Sequence, residues 1–114
     1  MLSAAQAREE GRTRRAEADR IREEARRKAK EKAERAHYLD QLARREEAVW
    51  NEVIGYIQQR QPKGYDQAIN LLIDLRDIAI REGHETEFRA KIEDLRVKNV
   101  TKRSFIERLI KANI

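Results

Sequence analysis

Residues 50–75 read WNEVIGYIQQRQPKGYDQAINLLIDL, two helical patterns hinged on Gln61-Pro62-Lys63-Gly64. Before the hinge, Trp50, Val53, Ile54 and Ile57 recur every three or four positions, the spacing of one helix face. Pro62 drives the residue before it out of the α region, and Gly64 accepts positive φ, so the first helix stops there. The second is predicted to open near Tyr65 or Asp66, with Asp66 as N-cap. Its apolar residues, Ala68, Ile69, Leu71, Leu72, Ile73, Leu75, Ile78, Ala79 and Ile80, cover more than half the circumference, which makes it the expected buried centre.

Toward the C-terminus, Gly83 is placed to close the central helix as a C′ residue, and His84 leads into a third helix over about residues 85–98 with Phe88, Ile92, Leu95 and Val97 at helical spacing. Thr101 is the expected N-cap of a fourth, with Ser104 at N3 and Val100 stapled to Phe105; Phe105, Ile106, Leu109 and Ile110 form its face.

Toward the N-terminus, Leu39, Leu42, Ala43, Glu46, Val49, Trp50, Val53, Ile54 and Ile57 keep one helical phase without a breaker. The economical expectation is one helix over about residues 12–60, roughly 70 Å long at 1.5 Å per residue. Its first half then projects, pairs or docks elsewhere. Gly55 is a candidate point of close backbone approach. The fold class is all-α: a long N-terminal helix packed at its C-terminal half against three shorter helices, as a hairpin-like bundle. The domains are a charged helical arm, 1–36, and a small helical domain, 37–114. Trp50, Tyr65, Ala68, Leu72, Leu75, Phe88, Leu95, Phe105 and Leu109 are the expected core anchors.

The arm is built from Ala, Arg, Lys and Glu, which lose little on entering a helix. Gly11 costs it about 1 kcal/mol relative to Ala, so the first ten residues are expected to fray or form a separate turn. Glu10 with Arg14, Glu23 with Arg27, Glu24 with Lys28 and Glu31 with Arg35 are acid-before-base pairs at i,i+4. Ala18, Ile21, Ala25, Ala29, Ala33 and Ala36 make a narrow stripe, a candidate self-association surface for a homodimer through the long helix. Arg14, Arg15, Arg26, Arg27, Lys28, Lys30 and Lys32 are candidate phosphate contacts, although eight acids are interspersed among residues 1–35 and no aromatic is there to stack on a base. A solvated single helix is the first reading of the arm, ahead of self-association and of phosphate binding.

Charged residues make up 41% of the 114, more than one core can bury. Residues 1–35 hold 12 Lys and Arg against 8 Asp and Glu, so most of the formal net charge of +5 sits there. The chain has no cysteine, hence no disulfide and no thiolate metal site. No apolar run approaches the roughly 20 residues of a membrane span, and the start lacks an apolar signal-peptide region of about 7 to 15 residues. A cytoplasmic location is the expectation.

No catalytic or metal constellation stands out. His37 and His84 lie in separate segments, and the four glycines make no phosphate-cradling loop. Asp74 with Asp77, and Glu93 with Asp94, read as solvated carboxylates paired with Arg76, Arg81 or Arg96. The expectation is a chain without enzymatic activity, cofactor or metal.

Two resemblances add to this. Trp50, Val53 and Ile57 followed by Tyr65-x-x-Ala68 and Leu72 resemble a tetratricopeptide-type hairpin, with a longer Trp50 to Tyr65 spacing and no evident second copy. Over about residues 38–114, Trp50, Tyr65-Asp66, Ala68, Leu71-Leu72, Leu75-Arg76, Phe88, Leu95, Lys102, Phe105 and Leu109 resemble the C-terminal helical region of bacterial SWIM zinc-finger proteins. In that family the region follows a zinc module that this sequence lacks, so the resemblance implies a helical accessory or interaction domain and no zinc. The expected function is a protein-protein interaction or oligomerisation module, with a nucleic-acid-associated accessory domain as the alternative.

Overall fold

The computed structural model describes residues 3–114, apart from the side chains of residues 5–7; Met1 and Leu2, at the start of the arm, lie outside it. The described residues form five helices and no strand: α1 (Ala4–Ala43), α2 (Glu46–Gln58), α3 (Pro62–Glu82), α4 (Glu85–Lys98) and α5 (Arg103–Lys111). The chain divides into two compact units, Met1–His37 and Tyr38–Ile114.

In the first unit α1 runs through Gly11 without interruption, so no separate turn forms there. Its side chains are solvated and held by short-range ion pairs: Glu17 with Arg20 at 2.8 Å, Glu23 with Arg26 at 3.3 Å and Glu24 with Lys28 at 3.4 Å. Glu23 thus reaches Arg26, three residues on, in place of the expected Arg27, since both positions border it on a helix surface.

The second unit is built on α3, which packs against α2, α4 and α5. Ala68, Ile69, Leu72, Leu75, Ile78 and Ala79 are buried along it. Leu39, Leu42, Val49, Val53 and Ile57 meet them from one side, Phe88, Ile92 and Leu95 from a second, and Phe105 and Leu109 from a third, in a single apolar cluster. Two aromatic pairs span the elements: Trp50 with Phe88 at 6.0 Å and Tyr65 with Phe105 at 5.8 Å between ring centroids.

The expected helix over residues 12–60 is two helices. Arg45 leaves the helical region at φ −125° and ψ 34°, its N–H closing a tight turn onto the Leu42 carbonyl at 3.0 Å. Glu46 and Glu47 then occupy the first turn of α2, where carboxylates favour the helix N-terminus. The apolar phase survives the break, with Leu39 and Leu42 before it and Val49 after it all buried, which is why spacing alone joined the two. Arg45 reaches forward to Glu52 at 3.1 Å and braces the turn.

The α2–α3 hinge also differs from expectation. Positive φ falls on Arg60 (55°), and α3 starts at Pro62, whose absent N–H costs nothing at a first helical position, after an extended Gln61. Gly64 is therefore inside α3 and buried, its bare Cα facing the Tyr56 carbonyl; Gly55, read as the close approach, has open space around it. Asp66 is released from capping and pairs with Arg108 of α5 at 2.7 Å.

Gly83 ends α3 at φ 76°, with His84 N–H on the Ala79 carbonyl at 2.7 Å and Gly83 N–H on the Ile80 carbonyl at 3.4 Å, a Schellman closure. Asn113 repeats it after α5 at φ 59°, with Ile114 N–H on the Leu109 carbonyl at 3.2 Å. The start of α5 is not the staple the sequence suggested. Lys102 precedes the helix, Thr101 makes no cap, and Val100 is 66% exposed, because Asn99 turns the chain by bonding the Leu95 carbonyl and the Lys102 ammonium.

Candidate interaction site

α2 and α4 flank a surface groove made of two adjoining cavities of about 500 and 310 Å³, which share Ile54, Asp94 and Leu95. Both helices reach it from α3: Val49, Val53 and Ile57 turn inward, which leaves Trp50 and Ile54 at the border of the core. On α4 the burial of Phe88, Ile92 and Leu95 sends Lys91 and Lys98 outward. The groove has an apolar floor of Trp50, Ile54 and Leu95. Glu46 and Glu47 stand on the α2 wall, and Lys91, Lys98 and Lys102 stand on the opposite side.

Trp50, expected as a core anchor, is only half-buried. Its ring rests on Phe88 and carries the Lys91 ammonium 5.0 Å above its centroid, while its indole N–H is covered without an acceptor. Ile54, assigned to the core face, is 41% exposed in the groove. The other anchors, Tyr65, Ala68, Leu72, Leu75, Phe88, Leu95, Phe105 and Leu109, are buried. Trp50 and Tyr65 serve different partners across the hinge, one joining α4 and the other α5.

Asp74 departs from the solvated-carboxylate reading: it is 8% exposed and accepts a hydrogen bond from the Tyr38 hydroxyl at 2.9 Å. Asp77 lies 3.4 Å from Arg76, and Arg81 pairs with Asp40 at 2.9 Å. Asp94 pairs with Lys98 at 2.9 Å and not with Arg96, whose guanidinium turns to the Ile114 carbonyl. Among the described residues no cluster of three His, Asp or Glu side chains could hold a metal ion, and no helix is long and apolar enough to cross a membrane.

In the first unit Ile21, Ala25, Ala29, Ala33 and Ala36 are exposed and Ala18 is half-buried. Arg14, Arg15, Arg27, Lys30 and Lys32 are exposed without a side-chain ion pair among the described residues, whereas Arg26 and Lys28 hold Glu23 and Glu24. One further pattern on α1 comes from helical geometry. At 100° per residue, Glu17, Glu24 and Glu31 fall on one flank of the stripe, and Arg15, Arg22 and Arg26 on the other. The groove itself was missed by sequence reasoning. Its one available signal was the seven-residue spacing of Lys91 and Lys98, two turns apart on a helix whose inner face was already assigned.

Compared with protein-family models, with curated proteins and with solved structures, the chain matches none.

Proposed function

We propose that the chain is a non-enzymatic helical interaction module that self-associates, the α2–α4 groove of one copy receiving α1 of a second copy. The observation that carries this reading is charge complementarity at matched spacing. Lys91 and Lys98 stand seven residues apart on one wall, and Glu17 and Glu24 stand seven apart on one flank of α1. Both spacings are about 10.5 Å along a helix. The opposite wall, with Glu46 and Glu47, faces the flank bearing Arg15, Arg22 and Arg26, and Ala18, Ile21 and Ala25 meet the floor of Trp50, Ile54 and Leu95. A helix laid by its apolar stripe into such a groove is a recurrent mode of recognition. Two copies that exchange α1 reciprocally close a two-fold dimer. The exposed intrachain pairs Glu24–Lys28 and Asp94–Lys98 compete only weakly, since solvated ion pairs are worth about 0 to 1 kcal/mol.

Sedimentation equilibrium over a wide concentration range tests this. Ile21→Asp and Ile54→Asp should each weaken association about tenfold or more, as loss of an interface anchor does. Lys98→Glu and Glu24→Lys should each weaken it about threefold, and their combination should recover the loss. A strictly monomeric wild-type chain removes the reading. The likeness to the SWIM-associated helical region fits an accessory role of this kind and adds nothing on zinc.

A nucleic-acid accessory role is the second reading, favoured by the unpaired Arg14, Arg15, Arg27, Lys30 and Lys32 on α1. It requires duplex DNA binding that falls steeply with salt and disappears when residues 1–35 are deleted. Absence of binding at ~50 mM salt eliminates it.

A further inference from the structure

Between Gly11 and Gly55 the chain has neither glycine nor proline, and α1 runs unbroken to Ala43. Good helix formers fill it, and the ion pairs Glu17–Arg20, Glu23–Arg26 and Glu24–Lys28 brace the stretch that carries Ala18, Ile21 and Ala25. Such a helix keeps its length. Ile21 stands 22 residues before Ala43, about 33 Å along the axis. The groove, in contrast, begins just past Ala43. Glu46 opens α2 three Cα steps later, at most about 11 Å away, and Trp50 is about 6 Å further along that helix. Trp50 is thus within about 17 Å of Ala43, which keeps Ile21 of the same chain at least about 16 Å from it. Helices in contact have axes about 8 to 10 Å apart. The limit is set by chain length and helix continuity alone, and holds whichever way the arm leaves the domain.

We infer, resting on the self-association proposed above, that unbroken α1 is a strut that makes occupation of the α2–α4 groove obligately intermolecular. The arm of a second copy reaches the groove, and a chain's own arm is held out of it. Helix continuity between Ala25 and Ala43 is then the feature that regulates association. A flexible break there turns an associating chain into a self-closed monomer, because an arm tethered by a short coil competes at an effective concentration of roughly millimolar order. The residues that enter the groove are the same in both forms; only the chain that supplies them changes.

The test compares three full-length chains: the wild type, one with eighteen Gly and Ser residues inserted after Lys32, and one with eighteen residues of Glu-Ala-Ala-Ala-Lys type inserted at the same place. Eighteen helical residues make five complete turns and preserve the phase of α1. The same number of Gly and Ser residues forms a coil with a root-mean-square reach of about 23 Å. Sedimentation equilibrium reads association, and acrylamide quenching of Trp50, the sole tryptophan and half-buried in the groove, reads occupancy. In the wild type Trp50 should be shielded at high concentration and lose that shielding on dilution, and the helical insertion should behave in the same way. The Gly/Ser insertion should associate about tenfold or more weakly, with Trp50 shielded at every dilution until Ile21→Asp opens it. A Gly/Ser chain that associates as the wild type does overturns the inference, and so does a monomeric one with Trp50 unshielded. A wild-type monomer whose Trp50 is shielded until Ile21→Asp overturns it too, while leaving α1 as the occupant of the groove. A wild-type monomer with Trp50 unshielded removes the self-association itself, and the strut with it.

Discussion

Two glycines show how far one missing methyl group decides the local architecture. A Cβ added at Gly64 would sit 2.7 Å from the Tyr56 carbonyl oxygen and 2.8 Å from Gln59 Oε1. The Gln59 side chain can swing away, but the Tyr56 carbonyl belongs to the end of α2 and cannot. Overpacking of this kind costs about 1 to 3 kcal/mol, against about 1 kcal/mol gained when Ala replaces Gly in a helix. Gly64→Ala is therefore expected to lower stability. Gly55 has no atom within 4 Å of the added Cβ and lies inside α2, so Gly55→Ala should raise stability by about 1 kcal/mol. Urea unfolding of the two variants should give opposite signs, and matching signs would contradict the hinge geometry. The sequence shows that glycines stand here but not which one meets another backbone, because that depends on the direction in which α3 leaves the hinge. Trp50 was legible as an anchor for a similar reason, its spacing being that of the inner face. Only the packed structure shows that the ring is half-buried, with Phe88 beside it and the Lys91 ammonium over it. Trp50→Ala should accordingly cost about 2 kcal/mol in the same measurement, below the roughly 3 to 5 of a fully buried tryptophan.

At the scale of elements, apolar periodicity gave the helices and their inner faces, while the ends were set by main-chain partners that no side chain announces. α4 was legible to the residue because Gly83 before it needs a left-handed conformation and the acids of its first turn suit its N-terminus. The break at Arg44 and Arg45 was not legible: it contains neither Gly nor Pro, and the phase continues across it. What ties down the end of α1 on the far side of that break is polar. Tyr38 donates to Asp74, and Asp40 holds Arg81, so the last residues of α1 are fastened to α3 by contacts 36 and 41 residues apart in sequence. Periodicity carries no information on such pairs, and Asp74 accordingly read as a solvated acid. Tyr38→Phe keeps the ring and withdraws one donor from a buried carboxylate. It should cost about 1 to 2 kcal/mol, and hydrogen exchange should show faster opening of the end of α1 with little change in α5. A loss spread evenly over all helices would mean that the contact is not local.

For the whole molecule, every residue of the apolar cluster lies at or beyond Leu39, and the first unit contributes none. The division between a charged arm and a core was visible in composition, since only the residues after His37 carry large apolar side chains at close helical spacing. The sequence does not display what the arm is for, because a stripe of alanines has the same pattern whether water or another helix lies on it. Folding and association can be separated. A chain restricted to residues 38–114 retains the complete cluster, its capping turns and the Tyr38–Asp74 bond, so its cooperative unfolding free energy should match that of the full chain within about 0.5 kcal/mol, the range of changes remote from a core. The same fragment lacks Glu17, Ile21 and Glu24 and should sediment as a monomer at concentrations where the full chain associates. Adding a separate peptide of residues 8–37 should then restore binding to the fragment, saturably and with a dependence on Lys98 and Ile54. If the fragment associates as the full chain does, α1 is not what fills the groove; if it fails to unfold cooperatively, the arm contributes to the fold in a way its solvated side chains do not account for.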